Sequence, residues 1–198
     1  MNVFLPVLCV YAFVTNAQVQ KPESEHLNGV YLTLEDYVHH HLTHSFLNQT
    51  KGYHLRLPNR SRLKLKTPDS TYIYDLTKIF GYCEDGASWC YRSGELVEIM
   101  GYTSVGYISY EGLWLYRRHD WSESRNGYTY FFSKNSTGEL VWFTRKKIKE
   151  AYKEDNAFLN LLSKVRWGQL LYNSHKTRQP LVLEVYATSH QLDYSRME

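Results

Sequence analysis

A cluster of histidines near the start of the chain is the first candidate for chemistry. The segment DYVHHHLTH, residues 36–44, holds four of the nine histidines, and imidazole is the commonest metal ligand among side chains. On a helix, His40 and His44 would be neighbours on one side, so both could bind one metal ion. Asp36 would lie about 12 Å from His44, too far to share that ion.

The same segment admits a structural interpretation. Glu35 and Asp36 would lie in the first helical turn and the histidines in the last turns, which is the charge order that a helix dipole favours. The chain has no H-E-x-x-H segment, which would supply two ligands and a base within one turn. Two hypotheses therefore stay open: a metal site at His40 and His44, or a solvated helix.

A basic hairpin is the second candidate. Between Lys51 and Lys66 the residues alternate, and a Pro-Asn turn separates two short strands. The alternation places Arg56, Arg62, Lys64 and Lys66 on one face. A face of one sign can attract sulfated or phosphorylated glycans. Cations on an outer strand also discourage edge-to-edge pairing of sheets, which is the alternative function of these residues.

The polar segment RRHDWSESRNG, residues 117–127, is the third candidate. Loops on rigid sheets often carry function, and an exposed Trp121 could stack on a sugar ring. Asp120 and Glu123, with the histidines, are the residues that a glycan hydrolase or a metal-dependent enzyme could use. The chain has no nucleophile-elbow motif and no glycine-rich phosphate loop.

The N-terminal segment and the cysteines indicate the cellular compartment of the protein. Residues 1–17 carry no charged side chain and contain an apolar run too short to span a bilayer, followed by an A-x-A-like site. They predict a cleaved signal peptide, which removes Cys9. Cys83 and Cys90 remain, flanking a turn in an oxidising compartment. They predict a structural disulfide, with two free buried thiols as the alternative.

The remaining patterns predict the elements that must position these residues. Thr33 and Asp36 form a capping pair for an N-terminal helix. From residue 71 to about 143, short aromatic or β-branched runs alternate with glycine turns, and helical spacing returns after Thr144. The predicted fold class is α+β: an antiparallel β-meander of about eight strands, barrel- or sandwich-like, with one N-terminal helix and two C-terminal helices. The segment LVLEVY, residues 181–186, fits either a strand or a short helix.

The domain organisation and charge follow from the same patterns. We expect a signal peptide at 1–17, a loose leader at 18–27, and a single globular domain at 28–198. The net charge of +3 is too small to indicate a nucleic-acid partner, and no cofactor is indicated. After residue 17 no run is long and apolar enough for a transmembrane segment. The mature protein is expected to be exported to the periplasm, the outer membrane or the extracellular space.

The order of several motifs resembles a group of small exported proteins of Bacteroidetes bacteria. The resemblance rests on NGVYLTLEDY after the signal, IFGYCEDGASWCYR, YTYFFS, and LVWFTRKKIKEAYKEDNAFLNLL, about half of the mature chain. It implies a bacterial envelope setting. No activity and no functional residue come with it.

These observations favour a non-enzymatic binding or envelope-associated module. Its ligand surface would be an aromatic sheet face or the basic hairpin, and its partner an envelope protein or an anionic glycan. The alternatives are a glycan hydrolase or metal-dependent enzyme, and a structural spacer of a surface assembly.

Overall fold

A computed structural model describes residues 27–47, 50–59, 61–104, 111–122 and 125–192, with 103–104, 121–122 and 125–126 described by their backbone alone. The strands in these ranges are β1 (Leu27–Tyr31), β2 (Thr43–Leu47), β3 (His54–Asn59), β4 (Arg62–Lys66), β5 (Thr71–Asp75), β6 (Gly81–Glu84), β7 (Ala87–Arg92), β8 (Glu95–Ser104), β9 (Gly112–Ser122), β10 (Arg125–Ser133) and β11 (Val141–Trp142). The helices are α1 (Leu34–Val38), α2 (Arg145–Ala151), α3 (Asn156–Lys164) and α4 (Leu181–Ser189). The predicted signal peptide, the leader up to residue 26 and the predicted strand at 106–110 lie outside the described residues.

The strands form two antiparallel sheets. The large sheet has the order β11-β10-β9-β8-β7-β6-β1-β2, and the small sheet has the order β3-β4-β5. From β6 to β11 each strand pairs with the next one along the chain. This is the predicted meander, and it confirms the α+β fold class. The large sheet is open, with β11 and β2 as its edges, so it does not close into a barrel.

The N-terminal helix is shorter than its sequence pattern predicts. The Thr33 hydroxyl accepts a hydrogen bond from the Asp36 backbone N–H at 3.1 Å, and Asp36 accepts one from the Thr33 N–H at 2.8 Å. This capping box confirms the predicted start. The helix ends at Val38, and from Thr43 the chain pairs with β1 as strand β2. The predicted helix through His44 is therefore wrong, because strand pairing with β1 replaces the last helical turns.

The Tyr37 ring of α1 lies on the concave side of the large sheet. In the sheet, β1 and β9 are four strand positions apart, which is about 19 Å along a flat surface. The centroid of the Tyr37 ring nevertheless lies 5.3 Å from that of Tyr31 on β1 and 6.1 Å from that of Trp114 on β9. The sheet must therefore curve around α1.

The convex side of the large sheet is covered by two different layers. Because side chains alternate along a strand, Trp114 and Leu115 of β9 face opposite sides. Leu115 joins a core that the three C-terminal helices cover. Tyr82 of β6 joins a second core, which Leu63 and Leu65 of the small sheet cover. The small sheet thus packs by one face and leaves its other face outward.

The segment at 181–186, whose sequence fits either a strand or a short helix, is helical. Leu181–Ser189 forms α4, a third C-terminal helix beyond the two predicted ones, and it begins directly after Pro180. Five of its nine residues are buried: Val182, Leu183, Val185, Tyr186 and Ala187. A helix buried on most of its circumference has no clear apolar stripe, so its sequence does not show helical spacing.

Replacement of Tyr37 tests its role in the curved sheet. We expect Tyr37→Ala to lower the free energy of unfolding by about 3–5 kcal/mol, the usual cost of removing a buried aromatic ring. Tyr37→Phe keeps the ring and is expected to cost no more than about 1 kcal/mol. Tyr172 is 70% exposed, so Tyr172→Ala is the matched control, expected to change stability by less than about 0.5 kcal/mol. Urea unfolding measures the stability of all three variants. Equal losses of stability in Tyr37→Ala and Tyr172→Ala would contradict the role of Tyr37 in the core.

Candidate functional site

The four clustered histidines do not share one helix. His39 follows the last residue of α1, His40 has a φ of 53°, and His44 lies in β2 with a φ of 53°. The His44 ring stacks on Tyr72 of the small sheet at 4.0 Å. The helical spacing that suggested a metal site at His40 and His44 is therefore absent. Within the described ranges, no group of three or more His, Cys, Asp or Glu residues could hold a metal ion.

The two described cysteines are buried and free. Cys83 of β6 pairs with Ser88 of β7, two residues before Cys90. Both thiols lie on the concave side, but such a diagonal arrangement separates the Cα atoms by about 7–8 Å. A disulfide needs about 4.4–6.8 Å. The predicted Cys83–Cys90 disulfide is therefore wrong. The structure contains the alternative, two free buried thiols.

Burial also makes these thiols poor nucleophiles. It raises the pKa of Cys90 from 9.0 to about 12 and raises the pKa of Cys83 as well. A thiolate is the reactive form, so the raised pKa values lower the reactivity of both cysteines.

The predicted loop at 117–127 is wrong for most of its length, because β9 continues to Ser122 and pairs with β10 from Arg125. Asp120, the carboxylate proposed for a hydrolase, therefore lies in β9 and is held by its neighbours on the β9–β10 hairpin. The Thr129 hydroxyl donates a hydrogen bond to Asp120, and Arg118 Nε donates another at 3.1 Å. These bonds, with Thr129 as the larger cause, lower the pKa of Asp120. A carboxylate stabilised in its charged form is a poor general acid. The Trp121 side chain and Glu123 lie outside the described residues.

An acid–histidine pair that the sequence patterns did not indicate lies in a cleft of about 810 Å³ near α3 and α4. His190 Nε2 is 3.2 Å from Asp155 Oδ2, and His190 Nδ1 is 2.9 Å from Ser189 Oγ. The Ser189 hydroxyl donates to the Tyr186 carbonyl at 2.6 Å. Asp155 also accepts from the Phe158 N–H as the N-cap of α3. The contact between His190 and Asp155 therefore joins the end of α4 to the start of α3.

The aromatic residues are mainly core residues. Tyr82, Trp114, Tyr116 and Phe132 are each no more than 1% exposed. The sheet faces that carry these rings are covered by α1, by the C-terminal helices and by the small sheet. This leaves the basic hairpin as the sequence-predicted binding surface that the geometry favours.

The hairpin forms as predicted, and a third strand joins it. In β3 and β4, His54 is opposite Lys66 and Arg56 is opposite Lys64. On the other side of β4, Arg62 is opposite Asp75 of β5. The exposed outer face of the small sheet, called the basic face below, carries His54, Arg56, Arg62, Lys64, Lys66, Thr71, Ile73 and Asp75.

The position of β4 changes the interpretation of its cations. The alternative function predicted for them was protection of a sheet edge. However, β4 is the central strand of the small sheet, and its two neighbours already satisfy its backbone. Arg62, Lys64 and Lys66 therefore have no edge to protect.

The charges of the basic face are poorly compensated. Lys64 lies directly opposite Arg56, and directly opposed like charges destabilise a sheet. Within the described part of the chain, the ion pairs involve none of the cations of the basic face. Asp75 is its acidic residue, and hydrogen bonds from the Thr77 hydroxyl and N–H lower the pKa of Asp75, with Lys78 and Arg62 adding to the effect. The face presents a net positive charge to solvent.

Comparison with known proteins found no matching family model, no matching curated protein and no matching solved structure. No helix in the described ranges has the length and apolar character needed to cross a membrane.

Alkylation tests the state of the cysteines. A pKa of about 12 lowers the thiolate fraction of Cys90 near pH 8 by roughly a thousandfold relative to an ordinary thiol. We expect iodoacetamide to modify Cys83 and Cys90 only after unfolding in urea, as read by peptide mass mapping. An Asp69→Cys variant provides an exposed thiol as the control, which should react in the folded protein. Recovery of a Cys83–Cys90 linked peptide from unreduced protein would contradict the structure.

Proposed function

We propose that this protein is a non-enzymatic binding module whose basic face binds an anionic polysaccharide. The observation that carries the proposal is the set of four permanent cations on β3 and β4, exposed together and without ion-pair partners in the described chain. Arg56 and Lys64 repel one another in the free protein, and a bound anionic group between them would remove that repulsion.

The surroundings of the cations favour a glycan over a nucleic acid. Proteins that bind single-stranded nucleic acids place aromatic rings beside their cations for base stacking. The tyrosines of the small sheet, Tyr72 and Tyr74, lie on its packed face instead. Ile73, 65% exposed, is the large apolar side chain among these cations. The face also spans three strands, which is wider than the helix or two-stranded ribbon that enters the major groove of DNA.

The location of such a ligand follows from the sequence. The predicted signal peptide at 1–17 and the resemblance to exported Bacteroidetes proteins both support a cell-envelope or extracellular setting. Polysaccharides carrying carboxylate, sulfate or phosphate groups are ligands of matching charge for a protein in that setting.

Paired charge-neutralising variants test the proposed surface. We expect the mature protein to bind dextran sulfate but not neutral dextran, and binding to weaken as NaCl rises from about 50 to 200 mM. The double variant Lys64→Gln/Lys66→Gln should lose about tenfold in affinity, because two exposed ion pairs contribute up to about 1 kcal/mol each. Isothermal titration calorimetry gives both quantities.

The matched control removes the same charge elsewhere. Lys146 and Lys147 are exposed on α2, and Lys146→Gln/Lys147→Gln should retain wild-type affinity within about twofold. Equal losses in the two double variants would show that binding reports net charge alone. Tighter binding to duplex DNA than to dextran sulfate, at one ionic strength, would overturn the choice of a glycan.

Charge reversal at Lys64 separates binding from stability. We expect Lys64→Glu to raise the free energy of unfolding by about 0.2–1 kcal/mol at low salt, because Arg56 then faces an opposite charge. The same variant should bind dextran sulfate more weakly than Lys64→Gln does. Urea unfolding and calorimetry on one preparation measure both effects. A less stable Lys64→Glu protein would contradict the assigned register of Arg56 and Lys64.

A further inference from the structure

A second cleft lies beside the β6–β7 turn. Its volume is about 710 Å³, within the range of small-molecule sites. Five parts of the chain border it: the end of α1, the β6–β7 turn, residues 98–102 of β8, Arg117 of β9, and the segment from Asn173 to Pro180. We call it the β8 cleft.

The cleft exists because β7 is shorter than β8. The pairing of β7 with β8 ends at Ser88 and Ile99, whereas β8 continues to Ser104. Beyond Ile99, the described chain provides a strand beside β8 only on its β9 side. The β8–β9 register also shifts between Ile99 and Gly101. Such bulges recur next to binding and active sites, where they redirect side chains.

Two residues of unusual backbone conformation border this cleft from different elements. His40 has a φ of 53° and Arg178 a φ of 56°, both in the left-handed region that side chains other than glycine rarely adopt. Residues held in this region concentrate at ligand-binding and active sites. Here they belong to segments far apart in sequence and meet at one cleft.

The charges that line the cleft favour an anion. Glu98 is its one acidic lining residue in the described chain, and Arg117 neutralises it through two hydrogen bonds of 2.6 Å. Arg178 adds a guanidinium that forms no ion pair within the described ranges. His39 and His40 add imidazoles that can donate hydrogen bonds. The remaining charge is positive.

The other lining groups fit a small ring that carries hydroxyl groups. Asn173 and Gln179 supply carboxamides, each of which both donates and accepts hydrogen bonds. Tyr102, which is half-buried, supplies aromatic surface and a hydroxyl group, whereas Tyr37 borders the cleft as a buried core residue. Few precisely placed polar groups beside aromatic rings are typical of sites that orient a small polar ligand.

We propose that the β8 cleft binds a small acidic sugar, a monosaccharide or disaccharide with one carboxylate or phosphate group. Arg178 binds the acidic group, and the carboxamides and Tyr102 bind the sugar ring. This site is separate from the basic face and does not depend on the polysaccharide proposed for it.

Titration of the mature protein with three sugars tests the proposal. Glucuronic acid and glucose 6-phosphate carry the two acidic groups, and glucose is the neutral comparator. We expect saturable binding of at least one acidic sugar in calorimetry, at least tenfold tighter than that of glucose. Whichever acidic sugar binds more tightly identifies the anionic group. No saturation by either acidic sugar at about 10 mM, or equal binding of glucose, overturns the proposal.

Two variants place the binding in this cleft. Arg178→Gln should weaken binding of the acidic sugar by tenfold or more and leave glucose binding unchanged. Arg166 is exposed and lies outside the cleft, so Arg166→Gln is the matched control and should bind as the wild type does. His40→Gly removes the cost of the left-handed backbone, so it should raise the melting temperature while it weakens binding. The assignment is overturned if Arg178→Gln binds the acidic sugar as tightly as the wild type does. It is also overturned if Lys64→Gln/Lys66→Gln no longer binds the acidic sugar.

Discussion

The packing of Tyr37 against rings from distant strands is the interaction on which the architecture depends. Its contacts with Tyr31 on β1 and Trp114 on β9 are possible only if the intervening strands curve around α1. The curved sheet has a concave side filled by one short helix and a convex side too long for any single layer to cover. The C-terminal helices cover one part of the convex side, and the small sheet covers another.

Both proposed sites follow from this division. The small sheet needs one apolar face, built from residues such as Leu63 and Leu65, to cover the large sheet. Strand alternation then directs Lys64 and Lys66 outward. The β8 cleft arises where β7 stops pairing while β8 continues, so the edge of one strand, the end of α1 and the segment before α4 surround it. Packing creates both surfaces, and the charges of their residues determine which ligands they favour.

The aromatic residues contribute mainly to the core rather than to an exposed binding surface. The sequence contains eighteen tyrosines, and one of the ligand surfaces that we predicted from it is an aromatic sheet face. Several of them lie instead between the layers, and burial raises the pKa of Tyr31 and of Tyr186 to about 12. Tyr152 shows how their polar ends are accommodated, since its hydroxyl donates to the Gly112 carbonyl at 2.8 Å. Rings with such bonds fill a curved interface without leaving a buried polar group unsatisfied.

The amino-acid sequence by itself determined the features that depend on neighbouring residues: the meander of short strands, the alternation that gives the hairpin a basic face, and the capping box at Thr33. Local spacing specifies these because side-chain direction repeats every two residues in a strand, and cap hydrogen bonds join residues three apart. The tertiary structure alone decided where α1 ends, which residue faces Cys83, that β4 is central, and that His40 and Arg178 meet at one cleft. Each of these depends on pairing between segments far apart in the chain, and no local pattern records which distant strand a segment will join.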